Sequence, residues 1–176
     1  MNLSQKTTLI IILILSIIGL IAITTFNSRL ALKKSMNIYS SALADYKDNK
    51  YEKSYREFGK VSALSSLKPA AMYRQARCLE ESGHFQRAIL QYSFLTKRYP
   101  NFQLTSKAKY NSARLAYEIG KYNKAKKGFK DITNKYSDTE YAVASEYYLG
   151  MIEYRKSKDL KNHTRKIFAE EKALSH

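Results

Sequence analysis

Gly83–Pro100 reads GHFQRAILQYSFLTKRYP, and Gly120–Ser137 reads GKYNKAKKGFKDITNKYS, the same pattern 37 residues later. Gly83 matches Gly120, Phe85 matches Tyr122, and Ala88 matches Ala125. Tyr92 matches Phe129, Leu95 matches Ile132, and Tyr99 matches Tyr136. So many positions of one kind at a single offset make a period. A period of a few tens of residues is the mark of stacked supersecondary units, each burying its apolar face against the next.

The period runs outward from this core. Upstream of each glycine, Tyr73, Tyr110 and Tyr147 share the 37-residue spacing, as do Ala76, Ala113 and Gly150, and Leu67, Leu104 and Tyr141. At a shift of 34, Tyr39, Ala42, Tyr51, Ser54, Phe58 and Val61 form an earlier copy. A degraded copy follows through Tyr147, Tyr154, Ser157 and Leu160, with Asn162 and Lys166 where Ala and an aromatic are expected.

The spacing predicts paired helices. First-of-pair helices are expected near 36–48, 68–82, 105–119 and 140–156, and second-of-pair helices near 51–64, 85–98, 122–135 and 160–174. Gly83 and Gly120 would sit in hairpin turns, where a residue lacking Cβ ends a helix without strain. Pro100 would stop the helix before it. Thr105 and Asp138 or Thr139 are the N-cap candidates. Ala88 and Ala125, with Ala76, Ala113 and Gly150 on the first helices, would allow close helix approach.

The combined pattern, A-x2-Y/L…G-x-Y/F-x2-A-x3-F/Y-x2-L/I-x3-Y-P/S, resembles the tetratricopeptide repeat, although the signature Trp is absent because the chain has none. The spacing is similar to bacterial envelope members of that family, of the Tol–Pal-associated and outer-membrane-assembly kinds. This resemblance implies an all-α, right-handed solenoid of about four hairpins over 36–176. It also implies a concave groove lined by first helices that takes a protein or peptide.

Ahead of the repeats, Leu9–Phe26 is LIIILILSIIGLIAITTF, 18 residues without a charge. That length and composition predict a transmembrane signal-anchor helix contacting the lipid bilayer, with residues 1–8 as a short tail and 27–35 as a linker or an extension of the helix. A cleavable signal peptide competes, but Ala22-Ile23-Thr24-Thr25 is a poor small-x-small site. Arg29, Lys33 and Lys34 after the run outnumber Lys6 before it, which favours a cytoplasmic domain by the positive-inside rule. The early start of the run and the envelope resemblance favour the opposite. The reading adopted is a single-pass protein of a bacterial inner membrane with an extracytoplasmic domain.

Residues that carry chemistry are sparse. Cys78 is the only cysteine, so no intramolecular disulfide forms, and a small buried hydrophobe is the expected role. His84, His163 and His176 have no partner at metal-ligand spacing. No phosphate loop or nucleophile elbow occurs. Glu80 and Glu81 are neighbours about 100° apart on a helix rather than a facing dyad, and are expected as exposed helix-end carboxylates. No catalytic residue, cofactor or metal is expected, and the chain does not read as an enzyme.

Binding is the remaining function class. Tyr39, Tyr73, Tyr110 and Tyr147 occupy one register of the first helices; Tyr46, Glu80, Tyr117 and Tyr154 lie seven residues on; Leu43, Arg77, Arg114 and Met151 lie between. Seven residues is about two turns, so the rows share a face. Tyr39, Tyr73, Arg77, Tyr110, Arg114, Tyr117, Tyr147 and Tyr154 are the candidate partner-binding residues, Tyr and Arg being typical interface anchors. The competing role for the first row is packing between repeats. The net charge of +16, from 31 Lys and Arg against 15 Asp and Glu, includes a basic cluster on the third hairpin. Lys121, Lys124 and Lys127 are its candidates for contact with an anionic surface. Nucleic acid is not expected, since the repeat accounts for the interleaved aromatics. The leading expectation is a membrane-anchored scaffold. The alternatives are the helical part of a larger cell-wall enzyme, such as a lytic transglycosylase, and a cytoplasm-facing targeting or secretion receptor.

Overall fold

The computed structural model describes residues 3–174, and among them every regular element is an α-helix. In order these are α1 (Leu3–Lys47), α2 (Tyr51–Gly59), α3 (Lys68–Glu81), α4 (Phe85–Arg98), α5 (Thr105–Glu118), α6 (Tyr122–Lys135) and α7 (Glu140–Leu174). Residues 1, 2, 175 and 176, including His176, lie outside the description. The chain divides into two compact units between Cys78 and Leu79.

In the first unit α1 is one unbroken helix, so the expected linker at 27–35 is the extension of the apolar helix rather than a loop. At 45 residues it is about 67 Å long. Ile10, Leu13, Ile17, Leu20 and Phe26 along its apolar run are all exposed. Its last turns pack on α2 around a core of Ala42, Phe58, Val61, Ala71 and Cys78. Ser54 sits against α1 because its hydroxyl donates to the Ala42 carbonyl at 2.8 Å. Cys78 is buried, its Sγ 3.4 Å from Ser54 Oγ, which is the structural role expected of it.

α2 ends at Gly59, five residues before the expected position 64. The Ser62 and Ser65 hydroxyls accept the N–H groups of Leu64 and Leu67, both at 3.2 Å. Such local side-chain bonds offer the backbone an alternative to helix.

In the second unit α4, α5, α6 and α7 pack in succession. The buried faces carry Ala88, Ile89, Tyr92 and Leu95 on α4 and the matching Ala125, Phe129 and Ile132 on α6. Ala113 approaches Gly128 so closely that a Cβ on the glycine would lie 2.8 Å from the alanine's. Gly150 has open space instead, so its expected part in close helix packing is corrected.

Three turns share one geometry. Gly83 and Gly120 have φ of 75° and 76°, and Asn49 takes the same left-handed conformation at 60°. The following N–H in each case reaches back five residues, to Asp45, Leu79 and Ala116, at 2.8–2.9 Å. This is the Schellman closure that satisfies the last helical carbonyls. The N-cap expectation does not hold at Thr105. It is the first residue of α5, and its hydroxyl donates to the Tyr99 carbonyl at 3.1 Å. Thr139 likewise donates to the Tyr136 carbonyl at 2.7 Å.

The expected fourth hairpin is absent: α7 is a single helix of 35 residues running through the predicted turn at 157–159. Two physical reasons coincide. Ser157 stands where the other turns have Gly or Asn, residues that tolerate positive φ. Asn162 and Lys166, in place of Ala and an aromatic, leave the far half without an apolar face to fold back.

Candidate partner-binding site

The candidate residues divide between the two units. In the first, Tyr39 is half-buried with its ring edge-on to Phe58 at 5.1 Å between centroids, Tyr73 is buried, and Arg77 is half-buried. Tyr39 and Tyr73 therefore do packing work at this register.

In the second unit Tyr110 is half-buried and tilted against Phe129 at 6.2 Å and Tyr141 at 5.6 Å. Burial, reinforced by Tyr148, pushes its phenol above the ordinary range. Tyr117 is half-buried, edge-on to Tyr122 at 5.4 Å and Tyr148 at 5.1 Å. Tyr148, outside the sequence-based site, is the hub of this cluster, stacked on Phe129 at 4.9 Å and 9°. Its register could have been read from Asn111, its counterpart 37 residues earlier. Asn111 makes the equivalent inter-repeat contact, its amide donating to the Tyr92 hydroxyl at 3.3 Å.

Arg114 is engaged within the fold. One guanidinium nitrogen pairs with Glu80 and another with Glu118, and Glu80 also accepts the Tyr92 hydroxyl at 2.8 Å. Burial disfavours the charged guanidinium, but the two carboxylates outweigh it and raise its pKa. Glu80 is thus no exposed helix-end carboxylate, since its side chain is 11% accessible, whereas Glu81 is exposed.

Tyr147 and Tyr154 differ from the rest of their rows, being 65% and 64% exposed. With Val143, also exposed, and Gly150 they form the series 143, 147, 150, 154 on α7. Spacings of four, three and four place these positions on one stripe of a helix. At Gly150, between the two tyrosines in the stripe, nothing lies within 4 Å of where a Cβ would stand.

A second feature lies between α4, α5 and α6, a cleft of about 420 Å³ lined by Lys97, Lys109, Lys124, Lys127 and Asp131 with Ser93, Thr96 and Ser112. Lys109 is held by Asp131 and lies 5.5 Å from the Tyr136 ring centroid. Burial opposes the ionised Asp131, yet hydrogen bonds from Lys109 and Lys135 outweigh it and lower its pKa. Of the anionic-surface candidates, Lys124 and Lys127 line the cleft, while Lys121 donates to Gln86 at 2.6 Å. His84 and His163 are exposed, and no group of three potential metal ligands occurs among the described residues.

The tetratricopeptide repeat model matches residues 70–101 and 107–139, the two hairpins on which the period is clearest. No curated protein matches the sequence. Two solved structures share the fold. PcrH in complex with the chaperone binding region of PopD superposes with a TM-score of 0.59 at 16% identity, covering 70% of this chain and 94% of PcrH. PcrH with the chaperone binding region of PopB gives 0.52 at 15%, covering 69% and 94%. The chain therefore carries tetratricopeptide repeats in a fold similar to PcrH.

Proposed function

We propose that the chain is a membrane-anchored repeat scaffold of the bacterial cell envelope that docks a helical segment of a partner protein along α7. The observation that carries this reading is the exposed stripe Val143, Tyr147, Gly150 and Tyr154. Tyrosine gives apolar area and a hydroxyl at low entropic cost, and a notch between two rings accepts a side chain of an incoming helix. Tyr110 and Tyr117 pack on Tyr148 of α7, and Tyr39, Tyr73, Arg77 and Arg114 hold the equivalent register on the earlier helices. The PcrH structures support the class of function, because that fold is seen there holding a segment of another protein.

Anchoring is supported by α1, which is long and apolar enough to cross a membrane and whose apolar window is not buried. The adopted orientation places the repeats outside the cytoplasm. The test is site-specific photocrosslinking in intact cells, with the reactive group at Tyr154 and, as reference, at Leu90 on α4. A discrete adduct at Tyr154 that disappears with Tyr147→Ser is expected. Equal labelling from both positions, or an adduct indifferent to Tyr147, overturns the docking face.

A further inference from the structure

The loop after α2 is held against α1 at Ser35, about 13 Å along the helix from the end of the apolar run at Phe26. The buried Ser35 hydroxyl on α1 accepts the Ser62 N–H at 3.3 Å. Val61 plugs into the core, and Lys68 Nζ donates to its carbonyl at 2.9 Å. Fixed at both points, the loop presents Leu64 with 69% of its surface exposed. A cleft of about 360 Å³ separates this loop from α1, lined by Asn27, Leu30, Ala31 and Lys34 on the helix and by Lys60, Ser62 and Leu64 opposite. Leu30 is exposed as well.

Position along α1 gives these groups their meaning, on the reading that α1 spans a bilayer. The 18-residue run is about 27 Å long at 1.5 Å per residue, close to the roughly 30 Å hydrocarbon core. Asn27 follows it directly, and Ala31 lies about 7 Å past Phe26 along the axis. The headgroup layer is about 5–8 Å deep on each side. On α1 the cleft therefore starts in the headgroup layer, at Asn27 and Leu30, and runs to Lys34, about 12 Å past Phe26, a distance over which a long lysine side chain reaches back towards the headgroups; the exposed Leu64 and Lys60 line the opposite wall. Lys60 is tied to Glu57 at 2.6 Å, whereas Lys34 makes no ion pair among the described residues.

We propose that this cleft is a phospholipid site. Leu64 and Leu30 enter the boundary between acyl chains and headgroups, and Lys34 and Lys60 bind a headgroup phosphate, aided by the Ser62 hydroxyl and the Asn27 amide. The contact fixes the first unit against the bilayer surface, so the anchor is a platform rather than a tether.

The chain contains no Trp, so single tryptophans report position cleanly. Leu64→Trp, Leu13→Trp and Phe94→Trp, each in the full chain, are reconstituted in phosphatidylethanolamine–phosphatidylglycerol vesicles carrying brominated lipids. Leu13→Trp is quenched most by bromine placed mid-chain if α1 spans. Leu64→Trp is expected to be quenched roughly two-fold more than Phe94→Trp, best by bromine near the headgroup. Lys34→Ala with Lys60→Ala is expected to remove most of that excess. Quenching of Leu13→Trp with Leu64→Trp no different from Phe94→Trp overturns the site and leaves the span standing. An unquenched Leu13→Trp overturns the span and the site with it. Undiminished quenching at Leu64→Trp after both lysine substitutions overturns the phosphate assignment.

Discussion

Arg114→Ala is the perturbation that separates a structural arginine from a binding one. Its guanidinium joins Glu80, from the end of α3, to Glu118 on its own helix. The Glu118 arm is an i,i+4 pair with 38% of the carboxylate side chain exposed, worth about 0.3–0.5 kcal/mol. The Glu80 arm is different, with side chains 11% and 22% exposed. Removing one partner of a buried pair costs about 3–5 kcal/mol because the other charge is stranded. Here Glu80 keeps the Tyr92 hydroxyl, so the expected loss is smaller, about 2–3 kcal/mol in all. For a chain of this size that lowers Tm by roughly 5–10 °C. Thermal unfolding of the full chain in detergent, followed by helical circular dichroism, measures it, and Glu80→Ala completes a double-mutant cycle. A coupling above about 1 kcal/mol is expected. If Arg114→Ala melts with the parent and crosslinks a partner less well, the pair is not made and the arginine belongs to the partner interface. Arg114→Glu is a poor probe of binding, since it sets a third carboxylate beside Glu80 and Glu118.

Gly120→Ala forces a Cβ onto a residue at φ 76° and is expected to cost about 1–2 kcal/mol, read from a urea midpoint shift at constant m-value. Asp131→Asn tests the Lys109–Asp131–Lys135 cluster. The folded pKa of Asp131 is depressed, so its stabilisation is present above the unfolded value, about 3.9, and is lost as pH falls through the folded one. The Tm gap between parent and Asp131→Asn should be full near neutrality and close below about pH 4; a gap that widens in acid refutes the assignment.

The three central turns were legible because each has a single physical requirement, a residue at positive φ closing a Schellman bond, and Gly83 and Gly120 announce it. Asn49 meets the same requirement less visibly. The cores of α4 and α6 followed from Ala88 with Tyr92 and Ala125 with Phe129. The last copy was misread because its period survives in Tyr147 and Gly150 after its reasons have gone. Ser157 cannot make the turn cheaply, and Asn162 and Lys166 give a second helix nothing to bury. The tyrosine rows were legible as a register but not as a surface. Register puts Tyr110 and Tyr147 at equivalent positions, yet Tyr110 is enclosed by Phe129, Tyr141 and Tyr148 while Tyr147, edge-on to Tyr148, is 65% exposed. Exposure depends on what packs against a position, and a period does not carry that. The Glu80–Arg114 pair is of the same kind, joining residues 34 apart through an approach of helices that spacing alone does not define.

Gly150 turns that distinction into a test of function. Its counterparts Ala76 and Ala113 are buried, and a small residue there serves packing. At Gly150 nothing lies within 4 Å of a Cβ, and glycine inside a helix costs about 1 kcal/mol relative to alanine. Packing therefore gives no reason for it, whereas the proposed docking face, with a partner's side chain seated between Tyr147 and Tyr154, does. Gly150→Ala is accordingly expected to stabilise the chain by about 0.5–1 kcal/mol. Gly150→Leu should fold as well as the parent while filling the notch, and the adduct formed from Tyr154 should fall by roughly ten-fold, the effect of about 1.4 kcal/mol. Destabilisation by alanine would return the position to packing, and undiminished capture by the leucine variant would remove the notch from the docking face.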